Sequence, residues 1–247
     1  MKVLVTSAAS QFGATIADLL EANHDVVRTD LPDRSDGAAG VVACDLRHDE
    51  ATDRLVSGCD AVVHPGFPGV EGGHAGDATE LIDYHTRRTY NLLMACVSQG
   101  TRRFVNLSTL RLMEDYGEHL AVSERWKPLP STDPDILAAD LCEYVCREFA
   151  RDRGVEVANL RLGFPFVKGG RAEATAAGSS AVSSKDLGAA LEAALVANLD
   201  EGLHGASAPK GTGWRVIHVQ SPAPGARFLM GTAERVLGYP TTEAANS

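Results

Sequence analysis

The chain has 247 residues, 44% hydrophobic, 23% charged and 6% aromatic. This balance suits one globular domain, with or without a small grafted subdomain, and excludes disorder, collagen and a disulfide-stapled miniprotein. A formal net charge of −10 and a pI of about 5.2 argue against a nucleic-acid partner, which requires a basic surface. Apolar runs such as residues 3–5 fall far short of the ~20 residues needed to span a bilayer. Met1-Lys2 leads straight into a strand-like run rather than a signal peptide. The expectation is therefore a cytoplasmic protein that does not engage a membrane.

The first 110 residues alternate short Val/Leu-rich runs with amphipathic stretches, the pattern of parallel strands joined by crossover helices. Residues 2–6 form a strand, and Phe12, Ile16, Leu19 and Leu20 then recur on one helical face. Further strands are expected at 25–29, 40–43, 61–64 and 104–107, with a short polar helix at 49–57 and one long helix at 79–99. The helix expected at 135–152 carries a wide apolar stripe, Leu137, Leu141, Val145 and Phe149, with Ala138, Cys142 and Cys146 beside it. A stripe that wide suggests burial on two sides, against the sheet and against a second subunit, so a homodimer through 79–99 and 135–152 is expected. A strand at 156–162 follows, then a Gly/Ala/Ser-rich loop at 169–184, a helix at 185–199, a strand at 215–219 and a closing helix at 226–237. The fold expectation is α/β, a doubly wound and mostly parallel sheet of the dinucleotide-binding type. Residues 1–162 form its core, and 163–247 form a small substrate cap interleaved with it.

The first strand runs into Thr6-Ser7-Ala8-Ala9-Ser10-Gln11-Phe12-Gly13 and a helix, where a dinucleotide fold seats pyrophosphate on a glycine-rich turn. Only Gly13 remains of the three glycines of that pattern. Ser7 and Ser10 each place a Cβ where the phosphate approaches, although their hydroxyls can donate hydrogen bonds. Asp30 ends the second strand roughly twenty residues after the loop, where a carboxylate accepts from an adenosine ribose and repels a 2′-phosphate. That position favours NAD over NADP; the alternative is a loop or helix-cap Asp. The five cysteines, odd in number and without a C-x-x-C pair, read as buried apolar residues in a reducing compartment, and no metal site is expected.

Cys44-Asp45-Leu46, Val62-Val63-His64-Pro65-Gly66-Phe67, the stretch from His85 to Leu93, Phe104-Val105-Asn106-Leu107-Ser108-Thr109, Asn159-Leu160-Arg161-Leu162-Gly163 and Val236-Leu237-Gly238-Tyr239 follow in order. As an ordered set they resemble the extended short-chain dehydrogenase/reductase family, that is, the NAD-dependent epimerase/dehydratases, nearest to the short uronate-dehydrogenase-like members. The resemblance implies NAD as cofactor and a sugar-like small molecule as substrate. It puts Ser7, Ser10, Gln11, Phe12, Gly13 and Asp30 at the dinucleotide, Asp45 and Leu46 beside the adenine, and Pro65, Gly66 and Phe67 along the dinucleotide. Thr109 falls at the hydroxyl that orients the substrate oxygen. The family's acid/base is a Tyr followed four residues later by a Lys, whose ammonium lowers the phenol pKa. Here those positions hold Asp135 and Ala139, and no Tyr in the chain is followed by Lys at that spacing.

Asp135 either replaces the phenol or caps the helix that begins at Asp133-Pro134-Asp135. Tyr116 and His119, in the loop after Thr109, are alternative proton donors or plain loop residues. His64 reads as a core histidine, Arg87-Arg88 as an anion site or a solvated patch, and Arg161 as an anion ligand or a structural partner. Three classes remain open: an oxidoreductase or epimerase with a relocated acid/base, a non-catalytic dinucleotide-binding protein, and a subunit that has lost the nucleotide.

Overall fold

The computed structural model describes residues 1–65, 77–199 and 213–239. Seven strands, β1 (Lys2–Val5), β2 (Asp25–Asp30), β3 (Val41–Ala43), β4 (Ala61–Pro65), β5 (Arg103–Thr109), β6 (Glu156–Leu162) and, near the end of the chain, β9 (Trp214–Val219), form one sheet. Its order is β3-β2-β1-β4-β5-β6-β9, with every neighbouring pair parallel. The chain reverses its direction of winding between β1 and β4, the point at which doubly wound sheets place their ligand, at the carboxyl ends of the strands.

Strand alternation distributes the core to the two faces. Val3, Val5, Val63, Val105, Leu107 and Leu160 point to one side and pack with Phe12, Ile16 and Leu20 of α1 (Gln11–Glu21) and with Leu187 and Leu191 of α8 (Ser184–Val196). Leu4, Val62, Phe104 and Val157 point to the other. There they meet Val56 of α3 (Glu50–Val56), Leu92 and Cys96 of α5 (Thr89–Gln99), and Cys142, Cys146 and Phe149 of α6 (Pro134–Arg153). Near-continuous apolar strands are what a parallel sheet covered on both faces requires.

Four departures from the sequence reading have physical causes. The helix expected at 79–99 is α4 (Ala78–Asp83), a π turn (Tyr84–Arg88) and α5. Tyr84 and His85, adjacent in that wider turn, are both buried. On α6 the sheet-facing side is Ala138, Cys142, Cys146, Phe149 and Ala150, while Leu137, Leu141 and Val145 are half-buried. The stretch 169–184 is not only loop: it holds α7 (Arg171–Ala177) and β8 (Val182–Ser183), which pairs with β7 (Phe166–Val167). Finally, the closing helix is confined to residues 231–237. Residues 227–229 instead bond to Val122, with Val122 N–H donating to Arg227 O (2.8 Å) and Leu229 N–H to Val122 O (2.8 Å), and this buries Phe228.

The turn from β1 to α1 is the tightest point of the frame. A Cβ added at Gly13 would lie 2.0 Å from the Ser7 carbonyl oxygen. Gly13→Ala therefore forces backbone apart, and we expect a loss of about 1–3 kcal/mol, read as a lower denaturation midpoint with unchanged slope; an unchanged midpoint contradicts this packing.

Candidate dinucleotide site and the polar layer beneath it

The loop between β1 and α1 holds its shape without the usual glycines. Ser7 adopts φ +52°, a left-handed conformation that strains a residue with a side chain. Ser10 closes the loop: its hydroxyl donates to Ser7 O (2.7 Å) and accepts from Gly13 N–H (2.9 Å), which makes it the N-cap of α1. Ala8 N–H donates to Thr29 O (3.0 Å), and Ala9 N–H donates to Asp30 Oδ2 (3.0 Å). The Asp30 Oδ1 accepts from Leu31 N–H (2.8 Å). Asp30 is thus buried at the end of β2 with one backbone donor on each oxygen. Burial raises its pKa, and the two N–H donors partly oppose the rise. A carboxylate takes about four hydrogen bonds, so capacity remains for a ribose hydroxyl.

The neighbouring positions are more occupied. Leu46 is buried with φ +48°, and its carbonyl accepts from Asn91 Nδ2 (3.0 Å). Asp45 is paired with Arg88 (2.6 Å) and with Arg47. Arg88 also reaches Asp83, and Arg87 forks onto the same Asp83 carboxylate (2.6 and 2.7 Å). Both arginines of that pair are therefore neutralised within the chain. Pro65 ends β4 in the buried sheet, while Gly66 and Phe67 lie outside the described residues. Below the loop, Tyr84 Oη sits 2.7 Å from Ser7 Oγ; complete burial pushes its phenol up to about 12, so it holds its proton at neutral pH.

Of the residues expected to carry catalysis, Thr109 and Tyr116 have side-chain bonds within the chain. Thr109 closes β5, and its hydroxyl accepts from Arg111 N–H (3.1 Å), capping the turn Leu110–Met113. Tyr116 donates to Lys127 O (2.9 Å) and packs edge-on against Trp126. His119 is exposed. Asp135 lies buried in the first turn of α6, but the cap is Asp133, whose carboxylate accepts from Asp135 N–H (2.9 Å) and Ile136 N–H (3.4 Å). Ala139, a turn further on, is fully buried in an apolar cluster with Leu110, Leu112, Met113 and Phe228. Beside Thr109, the space between Phe12, Leu162, Gly163, Phe164, Phe166 and Val182 has a volume of about 10 Å³, roughly one water. Phe12 and Phe166 meet edge to face across it, 5.2 Å apart.

A buried polar layer runs under these elements. Arg161 on β6 forks onto Glu143 of α6 (2.9 and 2.7 Å), and Glu143 also accepts from Ser108 Oγ (2.6 Å). Arg161 is 3% exposed and Glu143 5%; of its two readings, the structure bears out structural pairing. The sequence reading also missed a side-chain group: His64 from β4, His85 from the π turn and Cys142 from α6 meet within the core. Their separation along the chain hides the meeting, and only the i, i+4 pair Cys142 and Cys146 hinted that α6 presents thiols inward. Removing one partner of a buried ion pair strands the other charge, so Arg161→Met costs about 3–5 kcal/mol, and Arg161→Met with Glu143→Leu costs less than the single change. Equal losses in chemical denaturation would contradict the pairing.

The model of the NAD dependent epimerase/dehydratase family matches residues 3–197. A uronate dehydrogenase of Pseudomonas putida is 25% identical over 171 residues, 67% of this chain and 61% of that protein. One from Agrobacterium fabrum is 28% identical over 168 residues, 66% and 60% respectively. The chain thus spans about three fifths of the length of these curated relatives. Among solved structures, a glucuronic acid dehydrogenase from Chromohalobacter salexigens has a TM-score of 0.70 at 23% identity, covering 94% of this chain and 81% of that one. A UDP-glucuronic acid 4-epimerase from Bacillus cereus in complex with NAD has a TM-score of 0.65 at 17% identity, covering 97% and 91%. At these identities the structural likeness is one of fold, the same doubly wound parallel sheet. With the family model covering most of its length, the chain belongs to the NAD dependent epimerase/dehydratase family.

Proposed function

We propose that this chain binds NAD through its adenosine and pyrophosphate half and has lost the Tyr-and-Lys chemistry of sugar-acid oxidoreductases and epimerases. The observation that carries the reading is the head of α6. Asp135 and Ala139 stand at the positions that the family resemblance gives to the Tyr and Lys, and Ala139 is sealed in an apolar cluster. Asp135 offers no phenol and Ala139 no ammonium for the proton exchange that accompanies hydride transfer.

The two halves of the cofactor fit unequally. For the adenosine half, the loop from Ser7 to Gly13 keeps a turn that leads into a capped helix, and Asp30 stands at the end of β2 with acceptor capacity to spare. Ser10 spends its hydroxyl on the loop itself, so the phosphates are left to backbone N–H groups at the start of α1 and the affinity is weak. For the nicotinamide half, Phe12, Phe164 and Phe166 fill the space beside Thr109. Bound NAD supplies a hydride acceptor, which explains why a closed nicotinamide end matters. Asp30 repels a 2′-phosphate, so NAD is preferred to NADP. Any substrate retained is a sugar-like small molecule, as the relatives' names suggest. Free cysteines at 44, 59, 96, 142 and 146 accord with a reducing, cytoplasmic setting.

Calorimetric titration tests this reading. ADP-ribose, which lacks nicotinamide, is expected to bind within about threefold of NAD, and NADP at least about tenfold more weakly. Asp30→Ala removes a charged hydrogen bond and weakens NAD by about tenfold or more. With uronates, aldoses or nucleotide sugars, NADH formation stays at background. No binding of NAD would favour a subunit that has lost the nucleotide. Robust turnover abolished by Thr109→Ala or Tyr116→Phe would establish instead an enzyme with a relocated proton donor.

We further propose a homodimer across the outward faces of α5 and α6, where Tyr90 is 45% and Tyr144 55% exposed, with Leu137 and Leu141 half-buried beside them. Phe149 is not part of that surface, because it is buried against Tyr90 within the chain. Light scattering at micromolar concentration is expected to give twice the chain mass, and Tyr144→Glu to halve it; a monomeric unmodified protein rejects the dimer.

A further inference from the structure

His64, His85 and Cys142 converge from three elements, and one ligand atom from each lies within 4.8 Å of the other two. None is more than 2% exposed. His85 lies in the π turn Tyr84–Arg88, and both it and Tyr84 are buried. π turns are uncommon and concentrate at functional sites. His85 Nδ1 is buried and has no hydrogen-bond partner, an expense a folded core rarely tolerates without reason.

The hydrogen bonds around His64 fix which nitrogen is available. Thr89 Oγ1 donates to Tyr84 O (3.1 Å) and therefore accepts from His64 Nε2–H (3.0 Å), while His64 Nδ1 accepts from Thr6 Oγ1 (2.7 Å). Thr89 Oγ1 also lies 3.9 Å from Cys142 Sγ, so Nε2 is the nitrogen on the cluster side. Moving the proton from Nε2 to Nδ1 frees the Nε2 lone pair, and Nδ1–H then donates to Thr6. A hydroxyl that serves either tautomer is the outer support a ligating imidazole needs. Cys142 Sγ donates to Asn106 Oδ1 (3.4 Å), whose Nδ2 is held by Asn159 Oδ1 (2.6 Å).

We propose that His64, His85 and Cys142 form a binding site for a soft monovalent cation, copper(I). The donor set decides the class: one sulfur and two imidazole nitrogens, with no carboxylate among the described residues in the group, select soft over hard ions. Charge decides the valence. A thiolate with two neutral imidazoles neutralises a 1+ ion, whereas a 2+ ion leaves an uncompensated charge in a site without water contact, which is costly. Three donors suit the low coordination number of copper(I) and leave a tetrahedral zinc one ligand short. With metal–ligand bonds of about 2.0–2.3 Å, the donors close in by about 1 Å, within reach of small side-chain rotations. Binding expels the thiol proton, and no electron is transferred. The site lies on the sheet face opposite α1 and does not depend on NAD binding.

The test uses the full chain, expressed with copper under reducing conditions or loaded anaerobically with copper(I), then desalted and measured by elemental mass spectrometry. The expected result is close to one copper per chain, a copper-edge absorption spectrum with one sulfur and two imidazole neighbours, and at least a tenfold drop in copper retained by Cys142→Ala and by His85→Asn. Cys59→Ser, elsewhere in the core, retains copper as the unmodified chain does. Circular dichroism checks that the variants fold; if either fails, the spectrum of the unmodified chain decides. Less than a tenth of an equivalent, oxygen and nitrogen neighbours without sulfur, equal retention by folded Cys142→Ala, or zinc held in preference to copper would each overturn the assignment.

Discussion

Gly13 and Ser7 constrain one another, and the working end of the molecule is built on that constraint. The Ser7 carbonyl occupies the place where a side chain at residue 13 would begin, so α1 starts hard against the carboxyl end of β1. To aim that carbonyl, Ser7 takes a left-handed conformation that elsewhere in the family resemblance belongs to glycine. The strain persists because the surroundings over-determine it: Ser10 ties the carbonyl, Tyr84 ties the hydroxyl, and Thr29 and Asp30 hold the next two N–H groups. Substituting the glycines has therefore not dissolved the turn. Bonds within the protein have replaced conformational freedom, at the expense of donors that would otherwise face a phosphate.

The same exchange recurs across the carboxyl end of the sheet. Thr109 spends its hydroxyl on a helical turn, Tyr116 on a loop carbonyl, Asp45 on two arginines, and Arg161 on Glu143. Polar groups at this end of the sheet are thus held as internal partners, and Phe12 and Phe166 pack beside Thr109. Satisfied buried polar groups stabilise the fold.

Much of the fold was legible because parallel strands buried on both faces are largely apolar: residues 2–6 and 61–64 announce themselves by composition. The start of α6 was legible where Asp133-Pro134-Asp135 offers cap oxygens, although the cap is Asp133 and not Asp135. What local pattern could not deliver were features set by distant partners. Periodicity treats 79–99 as one helix, since nothing local signals the π turn at Tyr84–Arg88. Residues 227–229 look helical until Val122, more than a hundred positions earlier, offers them a strand-like partner. Arg161 had two readings until Glu143 was seen beside it. The meeting of His64, His85 and Cys142 follows from the stacking of β4, the π turn and α6 and carries no motif.

The central claim, a dinucleotide held by one half only, is tested most directly by following backbone amide resonances of the isotope-labelled chain during addition of NAD. The account requires shifts to be concentrated at residues 7–13 and 30–31, while those at 107–109 and 162–166, around the phenylalanine-filled space, stay in place. Shifts of equal size at Thr109, Phe164 and Phe166, accompanied by NADH on adding a sugar acid, would show an open nicotinamide site and contradict it.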